Sequence, residues 1–151
     1  KTLTVPMMEN ILDEWERTIE FMPRIIVIDY ADILACHVPR IEHRHQQNEV
    51  WAALRGLAQK RKCLVVTATQ ADAASYEKDT LRLSNFSEDK RKYGHVTAMW
   101  GLNQTLRERE MGIMRVNTLI ARNDRFNASR CVSLLQCLEI GQPLIASYLV
   151  K

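Results

Sequence analysis

A chain of 151 residues, 46% hydrophobic and 26% charged, has the balance of one globular domain with a sizeable core. No apolar run approaches the length of a membrane span, no signal peptide is expected, and the four scattered cysteines do not make a disulfide framework. A net charge of +3 permits an anionic partner without demanding one.

The chain opens on Lys1, which fits a piece of a longer polypeptide, although processing would leave the same start. Residues 6–22 are expected to be helical: Met8, Ile11, Leu12, Trp15, Ile19 and Met22 recur at the 3–4 spacing of a core-facing stripe. Glu9, Asp13, Glu14, Glu16 and Arg17 fill the other face. Pro6 suits the first turn and Pro23 stops the helix. The run Ile25-Ile26-Val27-Ile28 then leads straight into Asp29. Four consecutive aliphatics predict a strand buried on both faces, as in a parallel sheet covered by helices. Ligands of such sheets sit beyond the carboxyl ends of the strands, where Asp29 stands. Asp29 is either the acid that holds a magnesium–nucleotide complex or a solvated strand end.

A short apolar piece, 33–38, precedes a polar loop at 39–48. Cys36, His37, His43 and His45 lack the spacing of a zinc site, so a solvated loop is the expectation. A second helix over 49–62 points Val50, Trp51, Leu54, Leu57 and Ala58 to the core and ends in cations that complement its dipole. A second buried strand, 63–69, ends at Gln70. Cys63 here and Cys131 further on lie in apolar runs and read as reduced core residues of a cytosolic protein. The strand–helix–strand order predicts parallel neighbours.

Residues 71–76 suit a turn of helix, and 77–94 read as a long exposed loop. Its run Lys90-Arg91-Lys92-Tyr93 sets three cations beside an aromatic. That combination grips phosphates and stacks a base, although a solvated charged face is the plainer reading. A third buried strand is expected at 96–102, a charged helical turn at 106–111 and a fourth strand at 113–121. The Asn- and Asp-rich turn 122–127 leads to a fifth strand, 130–138, antiparallel to the fourth. After a turn at 141–143, residues 144–150 suit a short edge strand.

Polar groups collect at the strand ends: Asp29 and Asp32, then Thr67, Thr69 and Gln70, then Arg122. On one sheet edge they would suit phosphate chemistry, with an acid for the metal's water shell, an amide for orientation and an arginine for developing charge. Taken singly, the threonines are ordinary strand residues, Gln70 a helix cap and Arg122 a hairpin charge. The phosphate cradle is absent: none of Gly56, Gly94, Gly101, Gly112 and Gly141 opens a GxxxxGK[ST] motif. No GxGxxG, G-x-S-x-G or HExxH motif occurs either.

Four parts in order resemble the C-terminal half of the RecA-like ATPase core of DnaB-type replicative DNA helicases, phage-encoded members in particular. Ile25-Ile26-Val27-Ile28-Asp29-Tyr30 resembles the Walker B strand, and 49–70 the helix and strand leading to a sensor glutamine, Gln70. The segment from Leu83 to Gly94 takes the place of the DNA-contacting loop. Leu119-Ile120-Ala121-Arg122-Asn123-Asp124 resembles the Lys-x-Arg-Asn-Gly segment of the trans-acting basic finger. The finger lysine falls at Ile120 and the glycine at Asp124, so only Arg122 carries over.

The resemblance implies an α/β fold: a partial RecA-like (P-loop NTPase) three-layer domain. Its central sheet would be mostly parallel with an antiparallel C-terminal hairpin, its Walker A part missing, and residues 1–151 would form one truncated domain. It further implies a portion of a hexameric helicase that couples Mg-ATP hydrolysis to single-stranded DNA translocation and unwinding in replication, inactive as this piece. Asp29 would be the metal acid, Asp29, Asp32 and Gln70 would face the nucleotide, and Arg122 would reach a neighbouring subunit's nucleotide. Lys90, Arg91, Lys92 and Tyr93 would contact DNA. Mg-ATP belongs to the intact protein, with no cofactor expected on the piece. Partners would be single-stranded DNA, identical subunits and other replication proteins, in the cytoplasm of a bacterial or phage-infected cell. Two other classes share parts of the pattern: a RecA-like ATPase in signalling or recombination, and a non-catalytic α/β switch or scaffold. A phospho-receiver would need a further acidic pair and a lysine that are not evident.

Overall fold

In the computed structural model of the chain, residues 2–38, 42–75, 78–86 and 90–149 are described, the side chains at 43, 44, 74, 90 and 92 excepted. Two compact units emerge, Lys1–Gln70 with Glu88–His95 and Ala71–Ser87 with Val96–Lys151. No helix among the described residues is long and apolar enough to cross a membrane.

The first unit holds helix α1 (Val5–Ile19), strand β1 (Ile25–Ile28), helix α2 (His43–Arg61) and strand β2 (Leu64–Thr67). Thr4 caps α1, its hydroxyl accepting from the Met7 N–H at 3.3 Å. The helix ends earlier than its apolar spacing suggests, because Glu20 turns into the left-handed region and the Phe21 N–H bonds to the Trp15 carbonyl. Its orientation also differs from the expectation. Val5 and Leu12 are buried, but Ile11, Trp15, Ile19 and Met22 are exposed. The acidic face docks instead: Arg61 of α2 meets Asp13 and Glu16, and Lys60 lies 3.1 Å from Glu9. Glu9, Asp13 and Glu16 follow one another at helical spacing, so one helix face supplies all three acids to the cationic end of α2.

Helix α2 begins six residues before the expected Glu49, absorbing part of the supposed loop. Arg44, Gln46 and Gln47 are good helix formers, and no glycine or proline interrupts them. Val50, Trp51, Leu54 and Leu57 are buried as expected. Strands β1 and β2 pair in parallel, Ile25 opposite Leu64 through Ile28 opposite Thr67. The expectation of burial on both faces fails. Ile26, Ile28 and Val65 are half-buried, but Ile25, Val27, Leu64 and Val66 leave the opposite face bare, Val27 at 73% exposure. Among the described residues the one crossover helix, α2, shields a single face of a sheet whose aliphatic run is written for two. Cys63 and the other three cysteines are free thiols, each half-buried rather than in the core.

The second unit holds β3 (Ala98–Asn103), α3 (Leu106–Glu110), β4 (Ile113–Ala121), β5 (Cys131–Cys137) and β6 (Gln142–Leu149). They form an antiparallel meander, β3-β4-β5-β6. The α/β class stands, and so do the β4–β5 hairpin and the edge strand. The balance of pairing is shifted, since β3 joins the antiparallel set and parallel pairing is confined to β1–β2. The connections 104–112, 122–130 and 138–141 are too short for a parallel crossover, which takes about a dozen residues or more.

This unit has a polar core. Asn103 and Asn117 are buried, and the Asn103 amide donates to Asn117 Oδ1 at 2.9 Å. Asn103 Oδ1 accepts from the Leu81 N–H at 2.6 Å while the Asn117 amide donates to the Leu81 carbonyl at 3.1 Å, clamping the segment before β3 onto the sheet. Thr105 and Glu108 form a capping box at the start of α3. Glu108 also takes both an Nε bond at 2.5 Å and an Nη2 bond at 3.1 Å from Arg115. The Arg115 hydrogen bonds hold the Glu108 carboxyl down at about 2. A lowered folded value stabilises above the ordinary carboxylate range and is lost as pH falls. Stability should therefore drop between about pH 4.5 and 2, by about 1–2 kcal/mol after allowance for solvent screening. Acid titration of the melting temperature checks this, with Glu108→Gln expected to flatten that limb.

Candidate functional site

The β1–β2 pair brings two of the expected residues to one edge. Asp29 follows Ile28, and Gln70 lies three residues after Thr67, its partner in register. The turn leaving β1 is fastened to β2 by Thr67. Its hydroxyl donates to the Ile28 carbonyl at 2.9 Å and accepts from the Ala31 N–H at 2.8 Å. Between these anchors lie Asp29 and Tyr30, joined by a cis peptide. Asp29 and Gln70 are exposed, and among the described residues no hydrogen bond or ion pair engages either side chain. Asp29 thus presents an exposed, unengaged carboxylate at the strand end.

Asp32 plays a different part from the one expected. Its Oδ1 accepts from Trp51 Nε1 at 3.1 Å and its Oδ2 from the Thr69 hydroxyl at 2.5 Å. Its main-chain oxygen accepts from Gln47 Nε2 at 3.1 Å. The buried indole N–H of Trp51 needs an acceptor, and Asp32 supplies it. Asp32 therefore braces the turn after β1 against α2 and the end of β2, rather than facing outward beside Asp29. Nothing in the local sequence marks Trp51 or Gln47 for this role. Trp51 read as core, and Gln47 fell in a supposed loop. Among the described residues no three His, Cys, Asp or Glu side chains gather as metal ligands.

Arg122 belongs to the second unit, at the end of β4. Its Nε donates to the Val96 carbonyl at 2.7 Å and its N–H to the Thr97 carbonyl at 3.0 Å. The side chain is exposed and lines a concavity of about 320 Å³ with Trp100, Ile120, Asn123, Asp124 and Phe126.

The Lys90–Tyr93 expectation is corrected in part. Residues 90–95 form a 3-10 turn packed on α2, where Arg55 donates to the His95 carbonyl at 3.2 Å and His95 Nε2 meets Asn48 Oδ1 at 3.1 Å. Tyr93 is buried, at 8% exposure, so its ring is not displayed for stacking. Packing against a helix satisfies a large apolar ring more fully than water does. Arg91 is exposed, 3.3 Å from His45 Nδ1. The side chains of Lys90 and Lys92 lie outside those described.

The fold is that of the RecA-like ATPase domains of helicases. Two of the solved structures that share it are these. One is a DnaB-like replicative helicase, solved with regard to its interactions with primase, at a TM-score of 0.75 and 17% identity over 89% of this chain. The other is a solved ATPase domain, at a TM-score of 0.76 and 19% identity over 93% of this chain. The chain spans 34% of the first and 50% of the second. No protein-family model and no curated protein matches the sequence.

Proposed function

We propose that this chain is the metal-side portion of the ATPase domain of a replicative DNA helicase. The observation that carries the reading is the parallel β1–β2 pair, which sets Asp29 and Gln70 on one carboxyl edge with their side chains unengaged while Thr67 and Asp32 lock the backbone beneath them. In the complete protein Asp29 would hold Mg²⁺ through water and Gln70 would lie toward the terminal phosphate. Arg122 would extend to the nucleotide of an identical neighbour in a ring. Bound Mg²⁺ would neutralise phosphate charge. Single-stranded DNA and other replication proteins are the partners this reading implies. The five glycines open no GxxxxGK[ST] motif, so on this reading the nucleotide's phosphates would be held by another segment.

The test joins this chain to a phosphate-binding half carrying GxxxxGK[ST] and measures ATP hydrolysis. Hydrolysis stimulated by single-stranded DNA, weakened by salt and lost in Asp29→Asn supports the helicase reading. Hydrolysis indifferent to DNA points to the signalling or recombination alternative, and hydrolysis untouched by Asp29→Asn overturns the assignment.

A further inference from the structure

The combination expected at 90–93, cations beside a displayed aromatic, occurs elsewhere. The β3–β4 register slips between Met99 and Trp100: Met99 pairs with Ile120 and Trp100 with Thr118. Leu119, skipped by that slip, is buried, while Trp100 stands 60% exposed. Bulges of this kind re-aim side chains and cluster beside functional sites. Trp100 thereby lines the concavity of about 320 Å³ at the strand ends, together with Phe126, itself 44% exposed, and Arg122. That volume lies within the range of ligand pockets. The adjoining turn carries Arg122, Arg125 and Arg130 against Asp124 alone, and all four are exposed. The Asp124 carboxylate accepts from the Arg125 N–H at 2.7 Å, and the Val96 carbonyl steadies the Arg122 guanidinium.

We propose that this concavity binds an unpaired nucleobase together with its phosphate, the ring lying against Trp100 and Phe126 and the phosphate meeting Arg122. Aromatic faces accept any base, and neighbouring cations draw the phosphate. The source is either a mononucleotide or one residue of a single strand. The inference rests on the reading of Arg122 as phosphate-facing but not on the Asp29 edge, and its test is run without magnesium so that the two fail separately.

The whole chain in EDTA is titrated with AMP in one arm and with a short oligodeoxyadenylate in the other. Tryptophan emission and the anisotropy of labelled ligands are both followed. Bound base should quench the part of the emission that Trp100→Phe removes. Trp100→Ala and Phe126→Ala should each weaken binding about tenfold, while Trp100→Phe, which keeps a ring, holds affinity within about threefold. Both side chains are exposed, so unchanged melting temperatures verify the folds of the variants. Equal affinity for AMP and for each residue of the strand identifies a mononucleotide site. Tighter, salt-sensitive oligonucleotide binding identifies a strand. Absence of quenching by both ligands, or Trp100→Ala binding like the parent, overturns the proposal.

Discussion

Replacing Gly112 by alanine is expected to destabilise the second unit by at least about 3 kcal/mol. Gly112 has a φ of +67°, which an alanine adopts only at a cost of about 1–2 kcal/mol. A Cβ there would also stand 2.4 Å from the Gln136 carbonyl oxygen. That oxygen is backbone, and it cannot retreat easily because the Gln136 N–H bonds to the Gly112 carbonyl at 2.7 Å. Relief therefore requires the β4–β5 pairing to give way. Gly56, inside α2 with open space around its Cβ position, is the control. There alanine should stabilise by about 0.5–1 kcal/mol through helix propensity. Urea unfolding of both variants checks the pair, and a Gly112→Ala chain as stable as its parent would contradict the packing described at this turn.

Replacing Asn117 by leucine should cost about 2–4 kcal/mol and loosen residues 78–86. Asn117 is nearly inaccessible, at 2% exposure. Its amide donates to the Leu81 carbonyl, and its oxygen accepts from Asn103. Leucine fills the space but leaves these groups buried without that partner. Faster proteolysis within 78–86 should accompany the loss. Because Asn103 grips the N–H of the same residue, Leu81, the Asn103→Ala and Asn117→Leu effects should be strongly non-additive. Additive effects would mean that the two amides act separately.

The strands were legible because runs such as Ile25–Ile28 and Ile113–Ala121 are bounded by turn residues and acids. The hairpin between β4 and β5 followed from Asn123 and Asp124. What periodicity could not give was which face of α1 docks. An apolar stripe normally marks the buried side, yet here three acids at helical spacing meet Lys60 and Arg61 from a distant stretch. The polar core of the second unit was equally hidden, since Asn103 next to Gln104 and Thr105 reads locally as a strand end. The start of α2 carries no apolar residue before Val50, so amphipathic spacing does not mark it. That Asp29 and Gln70 stand exposed beyond the ends of neighbouring strands was readable from their places after apolar runs. Asp32 was not, because the indole that engages it, Trp51, lies on another element.

As proposed, this chain would offer the metal side of an ATP site without its phosphate cradle. Calorimetric titration of the isolated chain with Mg-ATP, with phosphate release followed in parallel, tests it most directly. No magnesium-dependent micromolar binding and no turnover are expected, leaving at most the weak, magnesium-independent contact of a base with Trp100. Micromolar magnesium-dependent binding with steady phosphate release would contradict it.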